Sequence, residues 1–261
     1  MRKGTFHFRP SGTTCRPLLL VLALAASGGA AAQTRNPGYD RPGLGFSPAV
    51  LDAGAITLEQ GLPDASEDRS GATTTRTYSA DTLLRLGVGQ SLELQFGSTP
   101  WNRLATPDGS VYGRGSSSLG LKWALPSPRP AWSWGLLGGV TFTDGSRAFR
   151  ADRRQYALGL DVNWQAGTRQ SLGLFMADAR AGGDSTTVAL SDTVAVTATL
   201  AAYLQVATLH PAHASAGQLA GAGLAWMATP RLQLDAGFNR RLAGSASRWQ
   251  ANLGASYYFG D

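Results

Sequence analysis

A chain of 261 residues with 43% hydrophobic and only 15% charged side chains can bury a sizeable core, as one large domain or two small ones. Its single cysteine excludes a disulfide framework and cysteine-based metal sites, and beyond the N-terminus no 18-residue apolar run exists to span a bilayer as a helix. Most of the formal charge of +6 belongs to residues 1–32, which carry four basic and no acidic residues; the remainder has no basic stripe with interleaved aromatics, so nucleic acid is excluded as a partner.

Residues 1–32 have the form of an export signal. Arg2, Lys3, Arg9 and Arg16 give a positive start, residues 17–26 an apolar core too short for a span, and Ala30-Ala31-Ala32 a small-residue cleavage site before Gln33. Cys15 lies upstream of the apolar core, where it cannot serve as a lipid-attachment site, so the mature chain has no cysteine. Residues 33–53 form an irregular lead-in rich in Pro and Gly, and residues 54–261 the folded domain.

From residue 56 onward apolar residues recur at every second position, the signature of strands with two unlike faces. Ile56 and Leu58 open the first strand. Tyr78, Leu84, Leu86 and Val88 mark the second, Leu92, Leu94 and Phe96 the third, and Leu119, Leu121 and Trp123 the fourth. Trp132, Trp134, Leu136 and Val140 mark the fifth, and Tyr156, Leu158, Leu160, Val162 and Trp164 the sixth. Leu172, Leu174 and Met176 indicate a seventh, Val188 and Leu190 a short eighth, and Leu200, Leu204 and Val206 a ninth. Residues 193–209 carry no charge and also fit a buried helix, but their Thr and Val favour strand. Leu224 and Trp226, then Leu232, Leu234 and Phe238, then Trp249, Leu253, Tyr257 and Phe259 complete about twelve strands.

Connections alternate in length. Those at residues 89–90, 126–130, 166–168, 192 and 229–230 are short; those at 63–76, 99–113, 144–152 and 209–215 are long. Alternating turns, an even strand count and an apolar face flanked by aromatics predict an all-β fold: a transmembrane antiparallel β-barrel. Trp123, Trp132, Trp134, Trp164, Trp226, Tyr257 and Phe259 would form the belt at the short-turn end. A soluble β-sandwich also alternates, but has no need of so apolar an outer face.

The opening run Arg41-Pro42-Gly43-Leu44-Gly45-Phe46-Ser47-Pro48, with Leu51-Asp52-Ala53-Gly54 and Leu58-Glu59-Gln60-Gly61, resembles the start of a bacterial outer-membrane barrel family associated with a meta-pathway of phenol degradation. Residues 223–226, 229–235 and 257–259 resemble it further on. The resemblance implies an outer-membrane barrel of transporter type and leaves the substrate open.

In such a barrel the polar phase faces the lumen. The candidate lumen residues are Glu59, Asp81, Arg85, Glu93, Lys122, Asp161, Asp235, Asn239, Arg241 and Gln250. They would line a path for solute or cross-link a closed interior. Twelve strands lie between the eight that side chains fill and the sixteen that hold a water channel, so a narrow or partly plugged bore is expected, with residues 36–53 as candidate plug. Arg147, Arg150, Arg153 and Arg154 cluster at a long loop, where lipopolysaccharide phosphate is the expected partner. No enzyme, cofactor or metal is expected. His210 and His213 stand in a loop, no G-x-S-x-G elbow occurs, and Gly183-Asp184-Ser185 is only a faint lipase-like echo. A passive outer-membrane transporter of small solutes, apolar or aromatic ones included, and a structural barrel with a closed lumen both remain, with a lipid hydrolase as the weakest option; oligomeric state is left open.

Overall fold

The computed structural model describes residues 38–260 except residue 182. The export signal and residues 33–37 lie outside the described residues. Fourteen strand segments follow in chain order: β1 (Ile56–Gly61), β2 (Asp64–Ser70), β3 (Thr73–Gly87), β4 (Leu92–Thr106), β5 (Gly109–Gly113), β6 (Ser118–Leu125), β7 (Trp132–Thr141), β8 (Gln155–Gln165), β9 (Gln170–Arg180), β10 (Asp184–Ala195), β11 (Leu200–His210), β12 (Gly217–Thr229), β13 (Leu232–Gly244) and β14 (Trp249–Phe259).

They make twelve barrel strands, because β1 continues as β2 and β5 continues as β6. The first break falls at Leu62-Pro63. Proline has no N–H to give a ladder, so β1 pairs β14 as far as Gly61 opposite Gly254, and β2 resumes the pairing with Ala65 opposite Ala251. All neighbours are antiparallel, and β1 against β14 closes the cylinder with Ile56 opposite Phe259. Closure removes the sheet edges, which a membrane span cannot leave unpaired.

The outer face follows the period-two pattern. Leu121, Leu158, Leu190, Leu204, Leu224 and Leu253 are all exposed, as a lipid-facing surface requires. Trp132 stacks on Trp134 and on Trp164, with ring centroids 5.9 Å apart in each pair, at the short-turn end. Trp123, Trp226 and Phe259 stand exposed at the same level.

Three connections differ from expectation. Residues 63–76 and 99–113 are not open loops. They are paired hairpin extensions, β2 on β3 and β4 on β5, each closed by a two-residue turn. The alternation fades there because those strands rise past the apolar slab and neither face meets lipid. The turn between β10 and β11 lies at residues 196–199 rather than at Asp192. Asp192 is a strand residue whose carboxylate accepts from Gln170 Nε2 at 2.9 Å, so its charge marks a wall position and not a turn. Residues 193–209 are strand, turn and strand.

The lead-in does not hang outside. Residues 38–48 are buried, and their backbone is hydrogen-bonded to side chains from β1, β8, β11 and β13. The segment enters at the short-turn end beside Tyr258, crosses the lumen, and returns past Glu93 to start β1. Gly45 turns at a φ of +110°, a left-handed conformation open to glycine.

Candidate functional site

The period-two phase turns Glu59, Arg85, Glu93 and Lys122 inward from four neighbouring strands: β1, β3, β4 and β6. Register brings them together, since Glu93 lies opposite both Lys122 and Gly87 in the ladders. Arg85 grips Glu93 in a fork, with Nε to Oε1 at 2.8 Å and Nη2 to Oε2 at 2.9 Å. Its Nη1 donates to Glu59 Oε1 at 2.8 Å. Lys122 Nζ lies 3.0 Å from Glu93 Oε1. All four side chains are fully removed from solvent.

Such charges are stable away from water only when each is paired. Two carboxylates balance two cations on the wall, and the lead-in adds a fifth member. Asp40 takes Lys122 Nζ at 3.1 Å on Oδ1 and Gln95 Nε2 at 2.7 Å on Oδ2. Glu59 in return accepts the backbone N–H groups of Asp40 at 3.0 Å and Arg41 at 2.9 Å.

A second cluster surrounds Arg41. Its guanidinium lies 3.2 Å from Asp64 Oδ1, 3.1 Å from Asp81 Oδ2 and 3.4 Å from Asp235 Oδ1, and donates to the Leu253 carbonyl at 3.1 Å. Farther along, Leu44 N–H donates to Gln205 Oε1 at 2.7 Å, Gln205 donates to Asn239 at 2.6 Å, and Asn239 donates to Gln250 at 3.5 Å. Phe46 N–H points at Asp161 Oδ2 at 3.4 Å, and the Phe46 ring meets Phe175 edge-on at 6.0 Å.

The wall makes room for this segment with glycines. A Cβ on Gly135 would fall 2.8 Å from Pro48 Cα, on Gly159 3.1 Å from Phe46 Cε1, and on Gly254 2.6 Å from Arg41 Nη2. On Gly87 it would meet the Leu51 carbonyl. Four inward glycines thus face the lead-in where side chains would otherwise fill the bore.

Nine of the ten candidate lumen residues fall into these groups. The exception, Arg241, donates to the Ala246 carbonyl at 3.2 Å near the long-loop end. Arg147, Arg150, Arg153 and Arg154 are exposed on one loop and its flank, and Arg154 lies over the Phe142 ring at 5.6 Å. Asp40, Arg41 and Asp64 were not among the candidates. The first two sit in an irregular segment with no period to reveal their direction, and Asp64 sits in the hairpin extension. The interior also holds an apolar zone. Leu44 and Phe46 pack with Phe175, Ala207 and Leu219, flanked by Leu83, Leu137 and Leu209. Its mark in the sequence is that Phe175, Leu137 and Leu219 share the phase of the polar residues.

Comparison with solved structures returns barrels. An outer membrane channel from Pseudomonas putida F1 superposes with a TM-score of 0.72 at 14% identity, covering 84% of this chain and 99% of that one. KdgM porin, solved with oligogalacturonate, gives 0.55 at 8% identity, covering 79% and 99%. The translocator domain of the autotransporter NalP from Neisseria meningitidis gives 0.50 at 11% identity, covering 80% and 89%. At these identities the likeness is one of fold. Comparison with curated proteins found no match. A family model matches residues 39–259, nearly the whole described chain, and on that match the protein belongs to the family described as "Putative MetA-pathway of phenol degradation".

Proposed function

We propose that this outer-membrane barrel is a passive channel for small solutes, closed in the present state by residues 39–51 acting as a plug. One observation carries the reading: the bore is filled by a segment that is not part of the wall, lying against wall glycines that would otherwise leave it open. A barrel of about eight strands is filled by its own side chains, whereas the wider twelve-stranded bore is filled here by the added lead-in. The apolar zone around Leu44, Phe46 and Phe175 suits a solute with an apolar or aromatic body.

The second reading, a structural barrel, draws on the solvent-free Glu59–Arg85–Glu93–Lys122–Asp40 cluster, which cross-links the interior. Flux of small aromatic compounds into vesicles holding the purified barrel, with and without residues 39–51, separates the two. Flux that rises on deletion supports the channel; background flux from both folded forms supports the structural role.

Catalysis forms no part of this reading. Ser185 Oγ accepts the Ala212 N–H at 3.3 Å. Arg147, Arg150, Arg153 and Arg154 are proposed to bind lipopolysaccharide phosphates. Replacing all four with Gln should lower barrel stability in lipopolysaccharide and leave it unchanged in a zwitterionic bilayer; unaltered stability in lipopolysaccharide would end that assignment.

A further inference from the structure

We propose that Asp64, Asp81 and Asp235 form a cation-recognition site in the lumen, shaped for a guanidinium or primary ammonium group, which Arg41 occupies as a tethered ligand while the lead-in is seated. The inference rests on the reading of the lead-in as a plug.

The three carboxylates come from β2, β3 and β13 and converge on one guanidinium at 3.2, 3.1 and 3.4 Å, with the Leu253 carbonyl as a fourth acceptor at 3.1 Å. A recess is built for it. Gly61 and Gly254 are cross-strand partners. A Cβ on Gly254 would stand 2.6 Å from Arg41 Nη2, and one on Gly61 would stand 3.2 Å from Asp64 Oδ2 and collide with Asp81. The occupant is not the only sign of a ligand: the Asp235 side chain is fully removed from solvent, yet its Oδ2 has no hydrogen-bond partner among the described residues. That oxygen is an acceptor in reserve.

The two charge clusters behave differently once the lead-in leaves. Around Asp40, the wall keeps Arg85 and Lys122 to balance Glu59 and Glu93. Around Arg41, no other cation pairs with the three carboxylates among the described residues. Carboxylates this close keep their charge only when a cation compensates them and otherwise take up protons, so a cation small enough to enter binds there in exchange for protons. The open pore is therefore selective for cations, and small organic cations compete with Arg41. A group on a flexible tether acts at an effective concentration of about millimolar, and the other contacts of the lead-in hold Arg41 further, so a free cation competes only at or above that level.

The test uses the whole mature protein and methylguanidinium as probe. In planar bilayers at constant ionic strength, methylguanidinium should raise the open probability of the wild type. The Arg41→Ala variant should be open without it and give a cation-selective reversal potential. Adding Asp64→Asn, Asp81→Asn and Asp235→Asn to that variant should abolish the selectivity. Separately, methylguanidinium should raise the thermal unfolding temperature of detergent-folded Arg41→Ala but not of the combined variant; if the combined variant fails to fold, Asp235→Asn with Arg41→Ala replaces it. A conducting Arg41→Ala pore with no cation preference and no stabilisation by methylguanidinium overturns the site and leaves the channel standing. A folded Arg41→Ala barrel that never conducts, yet is stabilised by methylguanidinium, overturns the channel and leaves the site.

Discussion

Asp40 of the lead-in and Lys122 of β6 meet at 3.1 Å with both side chains fully removed from solvent. Eighty-two positions of sequence separate them, and their contact ties the plug to the wall. Glu93 still compensates Lys122 when Asp40 is removed, so what is lost is the charge-assisted hydrogen bonding between the lead-in and Lys122 and Gln95, about 1.5–3 kcal/mol. Asp40→Ala should therefore loosen the lead-in without unfolding the barrel. Amide hydrogen exchange over residues 39–47 should accelerate by about one to two orders of magnitude, while β8 to β12 keep their protection. Unchanged exchange in the lead-in would show that its other contacts hold it alone.

Gly254 offers a steric route to the same end. A methyl group there would stand 2.6 Å from Arg41 Nη2, whereas one on Gly167 meets nothing within 4 Å. Gly254→Ala should unseat Arg41 and raise conductance; Gly167→Ala should be silent. Equal conductance in the two variants would place Arg41 outside the closing contact.

The outer wall makes a depth prediction. Leu204 is exposed near the middle of β11, and Leu242 is exposed near the long-loop end of β13. An arginine facing lipid costs about 2–4 kcal/mol at the midplane and about 0–1 near an interface. Leu204→Arg should lower the unfolding free energy in lipid vesicles by that larger amount and Leu242→Arg hardly at all. Similar losses at both positions would contradict the assigned span.

The loop between β7 and β8 should respond to acid. Asp144 accepts from Ser117 Oγ at 2.7 Å and Ser117 N–H at 2.9 Å, and pairs with Arg114 at 3.2 Å. The Ser117 hydrogen bonds, with Arg114 adding to them, hold the carboxyl below its ordinary 3.8, at about 2. A depressed folded value means the clasp contributes fully above the unfolded value and fades as pH falls through about 2. Proteolysis after Arg147 or Arg150 by an acid-tolerant protease should thus stay slow at pH 4 and accelerate only near the lower value. Asp144→Asn should cleave quickly at both.

What the chain declares by itself is its relation to lipid. A bilayer demands apolar side chains at every second position of every strand and aromatics where it meets water, so Leu121, Leu158, Leu204 and the tryptophans reveal the wall, its strand number and its inner phase. The lumen imposes no comparable rule. There, polar, glycine and apolar residues are all allowed, and what each one does depends on the groups that closure brings opposite it. Arg41 and Asp235 are 194 positions apart and meet only because the cylinder closes and the lead-in turns inside it. The lead-in has no period, its N–H groups are satisfied by side chains instead of a ladder, and its position is a property of the assembled bore. The hairpin extensions escaped the same reading because strands above the slab face water on both sides and lose the alternation that marks them below.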